Sequence, residues 1–352
     1  MNEAQSYNKM FTKKQLEEIK EHLEKAQNPL FYYDNDADGL CSFLILRRFL
    51  GRGKGVAIRG YPGLSAQNAR KADELKADYV FVLDKPEIPE DFAKVIDELG
   101  LPLVWIDHHG LEYSGPEISN FFPYVVKTEK PITYWSYKLT ERKEDLWLAV
   151  VGCIADHYLP EFSKEFAEEY PEYWGKGIKE PFDAVYRTEI GEIAKGFNFG
   201  LKDSTTRVVK LQNYLIEAKN PGDVFAEVPG NKEFREKYDE IKKKYDSLVD
   251  HAKEQVSGKL IFFEYGGDMS ISSEISNEIS YYYPDRYVVI AYKKGGIANL
   301  SLRGEGIRMI QEKALKEIEG ARGGGHDNAV GAKMGVEDLS KFRELLEKEI
   351  GK

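Results

Sequence analysis

The stretch 30–40, LFYYDNDADGL, decides the fold. Leu30 to Tyr33 form a short apolar run of the kind that makes a buried strand, and LCSFLILRRFL from Leu40 onward reads as a helix. Between them lie only Asp34, Asn35, Asp36, Ala37, Asp38 and Gly39. A strand that enters a helix through so short a turn is one step of a layered α/β sheet. Working outward, strand-like segments recur at 30–33, 56–58, 79–83 and 103–106, separated by helical patterns near 39–50, 65–76 and 89–99. A polar helix over 13–27 precedes them, and helices from about Pro131 and about Glu144, with a loop at Asp156, follow. The expectation is a doubly wound, mostly parallel α/β domain over 1–160. Acidic residues stand at the carboxyl ends of its strands, the edge where open sheets build their sites: Asp34, Asp36 and Asp38 after the first, Asp84 after YVFVL, Asp107-His108-His109 after LVWI.

The rest of the chain divides by composition. Residues 160–230 are rich in Tyr, Phe and Trp with no strand alternation, and 232–256 is a highly charged helix, so 161–257 is expected to be a helical insertion and linker. Aromatic residues such as Tyr170, Tyr173 and Trp174 read as helical core in preference to base-stacking platforms. A smaller α/β unit is expected over 258–352, with strands at 259–264, 287–292 and 297–302, helices near 271–282 and 306–318, and a GGG stretch leading into a last strand and helix.

Composition narrows the function classes. At 352 residues the chain suits two domains, and 42% hydrophobic with 31% charged residues describes a soluble globular protein. Its longest apolar run, 147–155, is about half of a membrane helix, and MNEAQSYNKMFTKK at the start has no apolar signal segment. Cys41 and Cys153 are far apart and form no CxxC pair, which excludes a disulfide framework or a zinc knuckle and fits the cytoplasm. A net charge of −10 argues against coating nucleic acid by bulk electrostatics. It is compatible with a nuclease, because a site built from carboxylates both lowers the charge and attracts divalent metal. No Ser/His/Asp nucleophile, Walker loop or dinucleotide fingerprint occurs.

Alternate carboxylates in DNDADG can face one point and bind hard cations, with Ala37 and Gly39 allowing the turn. Vicinal His108 and His109 beside Asp107 suit a mixed oxygen and nitrogen site for manganese or a similar ion. Asp156 sits in VVGCIADHYL, where an unpaired charge would cost several kcal/mol. Three or four acids and one or two imidazoles at one sheet edge match a two-metal phosphoester hydrolase. In the smaller unit, Arg322-Gly323-Gly324-Gly325-His326 lets backbone amides and an imidazole approach an anion, and Arg303 can pair with phosphate.

DNDADG, the Asp of VLDKP, the triplet DHH and GCIAD, in that order and followed by RGGGH, resemble the DHH phosphoesterase superfamily with a C-terminal DHHA1 domain, nearest its archaeal RecJ-like exonuclease branch. The resemblance covers roughly 28–160 and 258–346. It implies Asp36 and Asp38 as metal ligands, Asp84 as the bridge between ions, His108 and Asp156 as further ligands, and Asp34 and Asp107 as ligand or supporting positions. His109 would face the scissile phosphate or orient a ligand, while Arg303, Arg322, Gly323, Gly324, Gly325 and His326 would grip the phosphate of the nucleotide removed. Two ions, Mn2+ or else Mg2+, would drive hydrolysis of single-stranded DNA or RNA from an end, releasing nucleoside monophosphates; a replication or repair partner is implied by family analogy. The chain departs from some relatives at Tyr32, where they place an imidazole, and at Asn35, where many have His or an aromatic residue. Competing expectations are a nanoRNase, pAp-phosphatase or cyclic-dinucleotide phosphodiesterase sharing the metal site, and a non-catalytic replication or repair scaffold.

Overall fold

A computed structural model describes residues 10–60 and 63–351. Most of the N-terminal stretch read for a signal segment therefore lies outside the described residues. Among the described residues, no helix is long and apolar enough to cross a membrane.

Helix α1 (Lys13–Lys25) is closed at its start by a reciprocal capping box between Thr12 and Gln15. Strand β1 (Pro29–Asp34) leads into α2 (Ala37–Leu50), then β2 (Lys54–Ile58), α3 (Ala66–Glu74), β3 (Tyr79–Leu83), α4 (Glu90–Glu98), β4 (Leu103–Asp107) and β5 (Phe121–Val125). All pairings are parallel, in the order β2-β1-β3-β4-β5. The strand order reverses direction between β1 and β3, so the crevice of this sheet opens between the loops that follow Asp34 and Leu83. Alternation along β1 sends Phe31 and Tyr33 into one core layer and Leu30 and Tyr32 into the other. Helices α3 and α4 cover the second layer. The first layer is covered by α1, α2, α5 (Ile132–Thr140) and α6 (Leu146–Ala155). β5 was not anticipated, because FFPYV contains a proline; as an edge strand it tolerates Pro123.

The aromatic segment forms α7 (Ser163–Glu169), α8 (Pro171–Trp174), α9 (Pro181–Arg187), α10 (Glu189–Gly200) and α11 (Thr205–Glu217). Phe166, Trp174, Phe197 and Leu211 join the same core as Phe31 and Trp147, and Tyr170 and Tyr173 pack against it. These rings are core, as their helical spacing indicates. The long helix α12 (Lys232–Glu254) contains the boundary between two compact units, Met1–Tyr238 and Asp239–Lys352. The segment 161–238 lies within the first unit.

The second unit contains β6 (Leu260–Gly266), α13 (Ser272–Tyr282), β7 (Tyr287–Lys294), β8 (Ile297–Arg303), α14 (Ile307–Leu315), β9 (Arg322–His326), β10 (Ala329–Gly335) and α15 (Leu339–Ile350). Its sheet runs β6-β7-β8-β10-β9, with one parallel pair and the rest antiparallel. The RGGGH segment, expected as a loop, is the edge strand β9, exposed along its whole length. Triple glycine permits this: a Cβ at Gly323 would lie 2.6 Å from the carbonyl oxygen of Gly331, and Gly325 has φ +141°.

Candidate metal centre

The turn after β1 is built around two close approaches. Asp36 caps α2 by accepting from the Gly39 amide at 2.9 Å, and a Cβ on Gly39 would sit 2.4 Å from the carbonyl oxygen of Asp34. Glycine is therefore required there. The Ala37 amide donates to Asn198 Oδ1 on α10 at 2.9 Å, which fixes the turn from the helical layer. Asp38, in the first turn of α2, is buried and accepts from the amides of Ile132 at 2.9 Å and Thr133 at 2.7 Å. It satisfies two of the amides that open α5 and ties that helix to the turn.

Three groups of donors converge, each with ligand atoms within 4.8 Å of one another: Asp34, Asp36 and Asp84; Asp38, His108 and Asp156; Asp84, His108 and His109. Asp84 belongs to two of them and has φ +54°, a left-handed conformation uncommon outside glycine. His108 contributes through Nε2, which lies 3.2 Å from Asp84 Oδ1 and 3.7 Å from Asp156 Oδ2. Its Nδ1 is 3.2 Å from the Thr128 carbonyl, an acceptor, and so carries the ring proton. Burial holds His108 below the usual imidazole range, so the Nε2 lone pair points at two carboxylates. Donor atoms this close need a proton or a cation between them. Asp156 adds to this demand, since it caps the carboxyl, negative end of α6.

Electrostatics agree with the geometry. Burial, reinforced by Asp34 and Asp38, pushes the Asp36 carboxyl up to about 7. Burial and then the charge of Asp38 push Asp84 and Asp156 well above the carboxylate range. His109 moves the other way from its neighbour: burial opposes its charge, but the Asp107 carboxylate 2.9 Å from Nδ1 more than compensates and raises it. Asp107 also accepts from the His109 amide at 2.8 Å, so both its oxygens serve to position that residue. An oxygen and imidazole donor set of this kind fits a hard or borderline divalent ion such as Mn2+ or Mg2+. His108 shows the supporting bond usual for such ligands, from its second ring nitrogen to a backbone carbonyl.

Reading the sequence missed Lys85. It follows Asp84, is 1% exposed, and its Nζ lies 2.9 Å from Asp34 Oδ1 and 3.3 Å from the Gly60 carbonyl. A lysine buried that deeply is itself a signal, but only once burial is known. Tyr32 is directed away from the cluster, with its hydroxyl donating to the Asn68 carbonyl at 2.6 Å on the α3 side of the sheet. Asn35 Oδ1 is buried without a hydrogen-bond partner among the described residues. His157 packs its ring on Phe182, with centroids 4.4 Å apart.

Within the second unit, Arg303 and His326 both stand level with Ala329, on the strands to either side of it. They are brought to one end of that sheet, two strand spacings apart, roughly 10 Å. Arg303 is anchored by Asn277 Oδ1 at 2.6 Å and Ser273 Oγ at 3.1 Å, whereas Arg322 begins β9 at the opposite end from His326.

The fold has counterparts among known proteins. Residues 255–352 match the family model of the DHHA1 domain. Among solved structures, the chain is similar to RecJ from Thermus thermophilus in complex with Mn2+, with 16% identity and a TM-score of 0.63 over 98% of this chain and 56% of that one. It is similar to an exonuclease RecJ bound to manganese, with 17% identity and a TM-score of 0.61 over 96% of this chain and 94% of that one. The DHH domain of a protein described as a member of a family of ribosomal proteins aligns with 15% identity and a TM-score of 0.65, over 96% and 89% of the two chains. The chain thus spans little more than half the length of the Thermus RecJ. No curated protein matches it by sequence.

Proposed function

We propose that this chain, which has the fold of the DHH superfamily with a C-terminal DHHA1 domain, is a metal-dependent phosphoesterase that hydrolyses single-stranded DNA or RNA from an end and releases nucleoside monophosphates. The observation that carries the reading is the convergence on His108, whose Nε2 lies 3.2 Å from Asp84 Oδ1 and 3.7 Å from Asp156 Oδ2 while its Nδ1 is taken by the Thr128 carbonyl. That arrangement is stable when a cation occupies the space between the three groups. Asp36, Asp38, Asp84, His108 and Asp156 would hold two ions, Mn2+ by preference, with Asp84 common to both and Asp34 beside them. When bound, divalent ions supply Lewis acidity and neutralise the charge of the phosphate.

The remaining roles fall to the chain itself. Asp107 holds His109 by Nδ1 and favours its charged form, in which the ring would present its Nε2–H as a donor to a phosphate oxygen. Lys85 compensates Asp34 and leaves the other carboxylates to the metals. Arg303 and the β9 strand, at one end of the second sheet, are the phosphate-gripping elements that the resemblance implies. No covalent enzyme intermediate is required.

The test is hydrolysis of end-labelled single-stranded DNA and RNA, from dinucleotides to about 40 nucleotides, with Mn2+ or EDTA, by wild type and Asp84→Asn. Stepwise, Mn2+-dependent shortening that disappears in the variant supports the proposal, and the position of the label gives the polarity. Cleavage of only the shortest oligomers would redirect it to a nanoRNase-like activity, and intact substrates at every length would overturn it.

A further inference from the structure

Away from the acidic cluster, the first unit carries a groove of about 620 Å³ along β2, bounded by residues of α2, α3 and α11. β2 is an edge strand and pairs with β1 alone among the described residues. Its alternate backbone N–H and C=O groups therefore face outward, into the groove. In a chain of net charge −10, four cations line this groove, Arg47, Lys54, Arg59 and Lys71, against the single carboxylate of Glu74. Arg47 and Arg59 are held in place by the carbonyls of Gly53 and Leu201, each at 2.9 Å. Lys54 and Lys71 make no ion pair among the described residues. Between the charges lie Val56, Val208, Val209 and Ile216, of which Val209 is 41% exposed.

We propose that this groove binds an extended acidic segment of a partner protein, which adds to β2 as a sixth strand. The segment would alternate apolar side chains, set on Val208, Val209 and Ile216 of α11, with Asp or Glu set toward Lys54 and Lys71 on the α3 side. Backbone pairing supplies affinity in such a mode and the alternate side chains supply selection. The five residues of β2 offer roughly 17 Å of ladder, enough for a short linear segment. A second copy of the same edge is disfavoured, because its lysines would meet these. A single nucleic acid strand is disfavoured by the absence of an exposed ring for bases to stack on: Phe43, the aromatic residue lining the groove, is 1% exposed. The inference goes beyond the proposed hydrolysis and does not depend on it.

The test is fluorescence anisotropy of the full chain with a labelled, end-blocked peptide of about eight residues that alternates Val with Glu. Saturable binding is expected, weakened at least about tenfold by Lys54→Glu with Lys71→Glu, and lost by a peptide with proline at its centre. Slowed amide exchange over residues 54–58 on binding is expected as well. The proposal is overturned if the peptide does not bind, if the charge reversals leave its affinity unchanged, or if the proline peptide binds equally. It is also overturned if an oligo(dT) probe binds in the peptide's place with the same dependence on Lys54 and Lys71, which would make the groove a nucleic-acid track. Both lysines are surface residues outside the metal cluster, so thermal midpoints of the variants report any loss of folding separately.

Discussion

Asp36→Asn separates the charge of the metal cluster from its architecture. Asparagine caps a helix as well as aspartate does, so the bond from the Gly39 amide survives the exchange. What is lost is a carboxyl that burial and the neighbouring Asp34 and Asp38 have pushed from 3.8 to about 7. At about 1.4 kcal/mol for each tenfold change in proton affinity, that interval costs the folded, metal-free chain about 4 kcal/mol once the pH exceeds 7. The sign follows from proton binding. The folded carboxyl holds its proton more tightly than the unfolded one, so this contribution to wild-type stability falls as pH rises from about 4 to about 7. Asp36→Asn lacks it. Urea unfolding in EDTA, followed by tryptophan fluorescence, should therefore show the two proteins nearly equal at about pH 4 and the variant more stable by up to about 4 kcal/mol at about pH 8. Saturating Mn2+ should reverse the order, because wild type gains more from the ion. A difference below about 1 kcal/mol at the higher pH, or one of opposite sign, would refute the crowding of charge on which the metal assignment rests.

Substitutions at three further positions probe neighbouring features. Asp84→Asn and Asp84→Ala should both abolish stabilisation by Mn2+, but the alanine variant should unfold at lower urea, by about 1 kcal/mol, since asparagine tolerates the left-handed φ of +54° better. Asp38→Ala leaves the amides of Ile132 and Thr133 buried without an acceptor; at about 1–3 kcal/mol each, its thermal midpoint should fall by several degrees even without metal. Gly39→Ala forces a methyl to within 2.4 Å of the Asp34 carbonyl and should cost about 1–3 kcal/mol, together with weaker Mn2+ binding by calorimetry.

The strands β1 to β4 were legible because a parallel sheet buried on both faces leaves near-continuous apolar runs, and YVFVL and LVWI are such runs. The acids at their ends needed no contact information to be noticed. What the sequence concealed depends on partners distant along the chain. Asp38 reads as one more metal ligand, and its bonds to amides 94 and 95 residues away appear only in three dimensions. Asn198, which secures the Ala37 amide, lies in a segment that pattern reading set apart as an insertion. β9 escaped because glycine has no strand propensity of its own and is held in the sheet by β10. Tyr32 lies in the layer under α3, and its hydroxyl partner, a carbonyl 36 residues on, was not visible from the sequence.

The lysine beneath Asp34 has a consequence for when the cluster forms. A gathering of carboxylates with no resident counter-charge would have to wait for ions before the chain could close around it. Lys85 supplies a positive charge and the α5 amides supply hydrogen-bond donors from the folded chain itself. The sheet edge can then assemble without waiting for a cation to neutralise it.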